Sequence, residues 1–327
     1  MDHRLSWGIL GAGGIARTFT KDLITAGLKV AAVGSRSPAG AEAFGRELGI
    51  ERRHASYREL CDDPAVDIVY VATPHPLHYE NAALALSSGK HVLVEKPFTL
   101  NAPEARRLVE LSRREGRFLM EAMWTRFLPS MANLRALIAS GMLGQLSGLV
   151  ADHCQYIPME RAARLHLPEL GGGALLDLGV YPVSFAHELF GPPPIVQATG
   201  LKTELGVDRR VALALGWEGG ARASLYTDML AQGPNRACVI GSEARAELDA
   251  VWYCQTSFTV IARDGRVLHR YEDGVAGRGM QYEALEAERC VREGLLESPL
   301  MAHADSVAVM QTLDAARAAV GVRYPGE

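Results

Sequence analysis

Alternation is the feature that most restricts what this chain can fold into. Through its first third, short apolar runs take turns with amphipathic stretches of helical period. The runs Leu5–Leu10, Val30–Gly34, Asp67–Ala72, His91–Glu95 and Phe118–Glu121 are rich in Val, Ile and Leu and are bounded by turn residues. Between them, Ile15–Ala26, Ala39–Leu48, Leu77–Ser88 and Pro103–Glu115 carry apolar residues spaced for one helix face. Strands joined through helices make right-handed crossovers, which build a parallel sheet buried on both faces. The expectation is an α/β, doubly wound parallel domain over residues 1–123.

After residue 123 the pattern changes. A helical stretch, Pro129–Ser140, passes through Gly141 and Gly144 into a strand at Gln145–Cys154. Then come Arg210–Trp217, Ala221–Thr227, Arg236–Ile240, Ser257–Ile261 and Val267–Tyr271, β-runs punctuated by Gly, Asp and Pro. Strands that succeed one another without helices form a largely antiparallel sheet. Helical patterns return at Tyr282–Glu293 and Ala304–Val320, so residues 124–327 read as an α+β domain with an open-faced sheet. No low-complexity linker and no internal repeat interrupts the chain.

Composition matters mainly for what it excludes. With 327 residues, two domains are expected and neither disulfides nor a structural metal are needed to build a core. A net charge of −4 gives no electrostatic reason to bind nucleic acid or an acidic membrane. No apolar run reaches the ~20 residues of a membrane span. The five cysteines are isolated, form no CxxC pair and read as reduced thiols. Met1-Asp2-His3-Arg4 leads directly into a strand pattern, without the apolar stretch of a signal peptide. A cytoplasmic protein is expected.

Between the first apolar run and the first helical stretch lies Gly11-Ala12-Gly13-Gly14-Ile15-Ala16, a G-x-G-x-x-A loop. The first glycine permits the tight turn, the second lets a pyrophosphate approach the backbone, and Ala16 lets the helix lie close on the sheet. The helix N-terminus then faces the anion. This is the signature of a Rossmann domain that binds a nicotinamide dinucleotide through Gly11, Gly13, Gly14, Ile15 and Ala16. Cofactor choice is read about 20 residues on, where an NAD protein carries an acid for the ribose 2′-hydroxyl. Here the segment is Val33-Gly34-Ser35-Arg36-Ser37. A hydroxyl and a guanidinium suit a 2′-phosphate, so NADP(H) is favoured over NAD(H) through Ser35 and Arg36.

Further segments are Ala72-Thr73-Pro74, Glu95-Lys96-Pro97, and Gly171-Gly172-Gly173 followed by Asp177-Leu178-Gly179-Val180-Tyr181. In this order and at these separations, the chain resembles the Gfo/Idh/MocA oxidoreductases over essentially its whole length. Met123-Trp124-Thr125-Arg126-Phe127 and Leu313-Asp314-Ala315-Ala316-Arg317 are most similar to the branch that holds trans-dihydrodiol dehydrogenases and NADP-dependent D-xylose dehydrogenases. The resemblance implies that Lys96 lies near nicotinamide and substrate, and that Pro97 follows a bond often found cis. It implies cofactor-side roles for Thr73, Pro74, His75, His78 and Glu95, with His75 standing where the family commonly has Asn. Tyr181 stands where most of the family has His and this branch has Tyr. Trp124 and Arg126 line the cofactor site in that branch, although hinge packing explains them equally well. Arg164, before the triple glycine, is a further candidate for substrate.

The residues themselves agree. Lys96 directly follows a strand at its carboxyl end, the edge where open α/β sheets bind ligands. Asp177 and Tyr181 are four apart in a helical segment and share a face, while Pro182 removes the hydrogen bond to the Leu178 carbonyl. The implied reaction passes hydride between nicotinamide and a hydroxyl or carbonyl carbon of a cyclic polyol, an aldose such as xylose or a trans-dihydrodiol. In it Tyr181 handles the proton, Lys96 stabilises the tyrosinate and Asp177 orients a second hydroxyl. Two other readings belong to different classes: a relative that uses NAD transiently to cleave glycosides, and a non-catalytic NADP-sensing regulator. A sensor has no need of a proton-transfer pair such as Lys96 and Tyr181.

A metal centre is not expected. His75 and His78 form H-x-x-H without the glutamate or cysteine partners of a zinc site, and Asp152, His153 and Cys154 alternate faces in a strand. No G-x-S-x-G elbow is present. A homodimer through the open face of the C-terminal sheet is expected, with Val211, Leu213 and Leu215 set against Ala221, Ala223 and Leu225 within that sheet.

Overall fold

The computed structural model describes residues 4–327; Met1, Asp2 and His3, where the reading of the N-terminus began, lie outside the described residues. The first sheet has six strands, β1 (Ser6–Leu10), β2 (Lys29–Gly34), β3 (Arg52–His54), β4 (Ile68–Val71), β5 (His91–Glu95) and β6 (Leu119–Ala122). They lie in the order β3-β2-β1-β4-β5-β6 and every pair is parallel. Strands β1 and β4 are buried along their whole length, which is why they read as continuous apolar runs rather than alternating ones.

Five helices alternate with these strands: α1 (Gly14–Thr25), α2 (Pro38–Leu48), α3 (Tyr57–Asp62), α4 (His78–Ser87) and α5 (Ala102–Glu115). Local chemistry sets their ends. Ser37 accepts the Gly40 N–H ahead of a proline at the first helical position, and Asn101 accepts the Glu104 N–H.

The second sheet follows α6 (Pro129–Ala139). Its strands are β7 (Leu146–Cys154), β8 (Ile195–Lys202), β9 (Asp208–Gly216), β10 (Arg222–Asp228), β11 (Ala237–Gly241), β12 (Ala244–Leu248), β13 (Phe258–Ala262) and β14 (Val267–Tyr271). The order is β14-β13-β12-β11-β7-β10-β9-β8, with β7 and β10 parallel and every other pair antiparallel. Leu215 faces Ala223, Leu213 faces Leu225 and Val211 faces Thr227. The expected pairing, which included Ala221, is displaced because Trp217 and Ala221 close the turn through a 3.2 Å backbone bond. These alternating apolar residues are buried, while the intervening Ala212, Ala214, Ser224 and Tyr226 are exposed, so the sheet has one covered and one open face.

Helix α7 (Val180–Phe190) is entered through a π-helical turn, Leu175–Gly179. The sequence places a helical segment here that Pro182 disturbs, and the disturbance takes the form of this π-helical turn. Pro182 has no N–H for the Leu178 carbonyl, and a widened turn relieves the crowding between its ring and that carbonyl.

Helices α8 (Gln281–Arg292) and α9 (His303–Val320) close the chain. Two compact units result, one holding the chain up to Phe127 with Ala276–Val307, the other Leu128–Val275 with Ala308–Glu327. In place of one cut after residue 123, the division is discontinuous. Residues 276–307 return to the first unit because Asp22 accepts the N–H groups of Arg278 (3.1 Å) and Met280 (2.9 Å), and Glu288 accepts the Trp7 indole N–H at 3.1 Å. Among the described residues, no helix is long and apolar enough to cross a membrane, and none of the five cysteines is in a disulfide.

Candidate active site

In the first unit the glycine loop has the shape that its sequence demands. Gly11 has φ +111°, and a Cβ there would lie 2.7 Å from the Ala72 carbonyl oxygen. Nothing lies within 4 Å of where Cβ atoms would stand on Gly13 and Gly14, both exposed at the start of α1. Exposed N–H groups at a helix N-terminus with no side chain before them fit a pyrophosphate. Ala16 is wholly buried and Ile15 is exposed. Arg17 pairs with Glu47 at 2.8 Å and donates to the Ala12 carbonyl of the loop at 2.6 Å. At the end of β2, Ser35 is buried and its hydroxyl accepts the Ser37 N–H at 3.2 Å. Arg36 is exposed and has neither a hydrogen bond nor an ion pair among the described residues.

Lys96 follows β5 at the same carboxyl edge as the glycine loop, and the Lys96–Pro97 bond is cis, the isomer that the resemblance implied. Each residue of this loop is anchored. Glu95, which also accepts the Tyr70 hydroxyl, takes the Lys96 N–H at 3.1 Å. His78 lies 2.8 Å from the Pro97 carbonyl through Nδ1 and 2.9 Å from the Thr73 carbonyl through Nε2. Glu121 takes the Phe98 N–H at 3.1 Å. His78 is thus buried between two backbone carbonyls, a place that fits support of the Thr73 and Pro97 turns. His75 is buried with its ring edge-on to His78. Trp124 lies under the Arg278 guanidinium at 5.5 Å, and Arg126 is 3.2 Å from both the Leu300 carbonyl and Asp305. Both therefore pack within this unit.

The second unit brings Asp177, Tyr181 and Arg164 together. Arg164 pairs with Asp177 at 3.2 Å. Tyr181 is buried among rings that the sequence reading did not associate with it: His153 stands edge-on at 5.0 Å and Tyr253 is tilted at 5.5 Å. His153 stacks on Tyr253 at 3.5 Å, and the Gln155 amide is 2.9 Å from His153 Nε2 and 3.2 Å from the Tyr253 hydroxyl. Burial pushes the Tyr253 phenol well above its ordinary value. Gln155 stands one residue past the end of β7 and two from His153, a spacing available beforehand. Nothing near residue 253 marks it. Asp152 is occupied by the N–H groups of Asn235 and Arg236. Among the described residues, no group of three or more His, Cys, Asp or Glu is arranged to hold a metal ion.

Comparison with known proteins identifies the family. Residues 5–123 match the oxidoreductase family with an NAD-binding Rossmann fold, GFO_IDH_MocA, and residues 131–247 match the GFO/IDH/MocA C-terminal domain. The chain belongs to the GFO/IDH/MocA oxidoreductase family. It is 37% identical over 330 residues to a trans-1,2-dihydrobenzene-1,2-diol dehydrogenase of Danio rerio, and 38% identical over 333 residues to that of Mus musculus, with 98% of each chain covered. An aldose-aldose oxidoreductase from Caulobacter crescentus superposes with a TM-score of 0.88 at 26% identity, covering 98% of both chains. A 3-ketoreductase from Actinomadura kijaniata, solved with NADP and TDP-benzene, gives 0.84 at 27% identity over 97% of this chain and 98% of its own. This GFO/IDH/MocA member is an oxidoreductase of the NAD(P)-dependent dehydrogenase class.

Proposed function

We propose that the chain is an NADP(H)-dependent dehydrogenase or reductase acting on a cyclic polyhydroxy compound, an aldose or a trans-dihydrodiol. The observation that carries this reading is the Lys96 loop: all three of its residues are pinned, at the sheet edge that also bears the glycine loop. Gly11, Gly13, Gly14, Ile15 and Ala16 hold the cofactor's phosphates, Ser35 and Arg36 its 2′-phosphate, and Thr73, Pro74, His75 and Glu95 support its nicotinamide side. When bound, the nicotinamide supplies a hydride acceptor or donor.

The protein's own groups manage position and the proton. Tyr181, as the tyrosinate that the Lys96 ammonium stabilises, takes the proton of the substrate hydroxyl and becomes the neutral phenol. Asp177, oriented by Arg164, accepts a hydrogen bond from a second hydroxyl, which fixes the carbon that reacts. Carbonyl reduction uses the same groups in reverse. The open face of the second sheet supports a homodimer, since β7, β9 and β10 leave a largely apolar concavity of about 820 Å³ there.

The test is kinetic, with NADP+ and a panel of aldoses and trans-dihydrodiols. Tyr181→Phe and Lys96→Met should each lower kcat by ~10²–10⁴-fold, while Tyr181→Phe still binds NADPH as judged by nucleotide fluorescence. Near-wild-type turnover in both variants refutes the assignment.

A further inference from the structure

Asp208 begins β9 with its side chain wholly buried, and burial raises its carboxyl to about 7. Its Oδ2 accepts the N–H of Leu175 at 2.5 Å. Leu175 opens the π-helical turn that leads through Asp177 to Tyr181. The first amides of a helix have no acceptor within the helix, so a carboxylate brought to them from a distant strand serves as the cap.

The triple glycine makes room for this cap. Gly173 has φ +119°, and a Cβ there would strike Asp208 Oδ1; a Cβ on Gly172 would stand 2.6 Å from the Leu165 carbonyl. At the same turn, the buried Tyr324 hydroxyl donates to the Gly172 carbonyl at 2.6 Å. Tyr324 is itself fixed, since the Arg317 guanidinium lies 4.7 Å over its ring and is held by Glu327 and Asp314 at 2.8 Å.

We propose that Asp208 and Tyr324 are positioning residues for the reaction: they grip the glycine turn, one at the Leu175 N–H and the other at the Gly172 carbonyl, and so set where the following helix presents Asp177 and Tyr181. The inference rests on the reading of Tyr181 as the acid–base group, but the existence of the grip does not.

The full chain is compared with Asp208→Ala, Asp208→Asn and Tyr324→Phe. Hydrogen exchange of the 174–181 amides is followed without substrate or cofactor, and kcat is expressed per NADPH-binding site. Asp208→Ala should speed exchange in that segment and lower kcat on the order of 10²-fold, the penalty of misplacing a reacting group by about an ångström. Its NADPH affinity should stay within about twofold of wild type, since the nucleotide loop belongs to the first unit. Asp208→Asn keeps an accepting oxygen and should restore kcat to within roughly fivefold of wild type. Tyr324→Phe loses one buried hydrogen bond and should cost about tenfold; it carries the test if Asp208→Ala does not fold. In Tyr324→Phe the kinetic pKa of the acid–base group should also move, by roughly half a unit or more, which a loss of folded protein does not cause. Faster local exchange with undiminished kcat, or lowered kcat with unchanged exchange, overturns the proposal. Full turnover by Tyr181→Phe instead overturns the acid–base reading and leaves the exchange result to judge the grip alone.

Discussion

The carboxylate of Glu121 accepts the backbone N–H of Phe98 at 3.1 Å, two residues beyond Lys96. Glu121 is fully buried, and burial raises its carboxyl from 4.5 to about 7, with the charge of Glu95 adding to the effect. Folding therefore takes up a proton between these values. The group's contribution to stability is complete below 4.5 and is lost as pH rises through 7. At about 1.4 kcal/mol per unit, the loss approaches ~3 kcal/mol. Glu121→Gln should therefore gain roughly that much stability relative to wild type between pH 5 and pH 8.5. Urea unfolding at the two pH values measures it; a difference that does not change with pH contradicts a neutral Glu121.

Arg36 is the cation at the end of β2 with no partner among the described residues, and a 2′-phosphate gives it one. A charge-assisted hydrogen bond is worth about 1.5–3 kcal/mol, so Arg36→Ala should raise KM for NADP+ by ~10–100-fold. KM for NAD+ should stay within about twofold, because NAD+ lacks the group that is recognised. Equal changes for both cofactors would mean that Arg36 stacks on adenine and selects nothing.

What could be read from the sequence followed how local each signal is. Strands β1 and β4 are buried on both faces, so each is a continuous apolar run and the Rossmann half was visible. The edge strand β3 reads Arg52-Arg53-His54, three polar residues with no apolar pattern to find. The amphipathic face of α8 says that it covers something, not that it returns to Trp7 and Asp22 in the first unit. Among the candidate site residues, Lys96, Asp177 and Tyr181 stand in motifs. Tyr253 and Asp208 come from loops and strand ends far along the chain, and only the folded sheet sets one beside Tyr181 and the other beneath the Leu175 amide. Pro182 was legible as a disturbance of the helix, but not as the π-helical turn that absorbs it.

The open face of the second sheet yields the last prediction. Val150 on β7 is 52% exposed and Tyr226 on the adjacent β10 is 38% exposed, both among the residues around its apolar concavity. Val150 is paired with Ser224 and Tyr226 with Asp152, so the two are diagonal neighbours, and large apolar side chains so placed on an uncovered sheet call for a partner surface. A second copy related by a two-fold axis would set the same patch against itself. Val150→Lys with Tyr226→Lys then brings like charges together in a desolvated interface, at a cost of several kcal/mol. Within one chain the two substitutions point to solvent and should leave its stability within about 1 kcal/mol. Sedimentation at micromolar protein should find the parent chain dimeric and the double variant monomeric, with similar urea midpoints. A parent chain that sediments as a monomer removes the dimer from the proposed function.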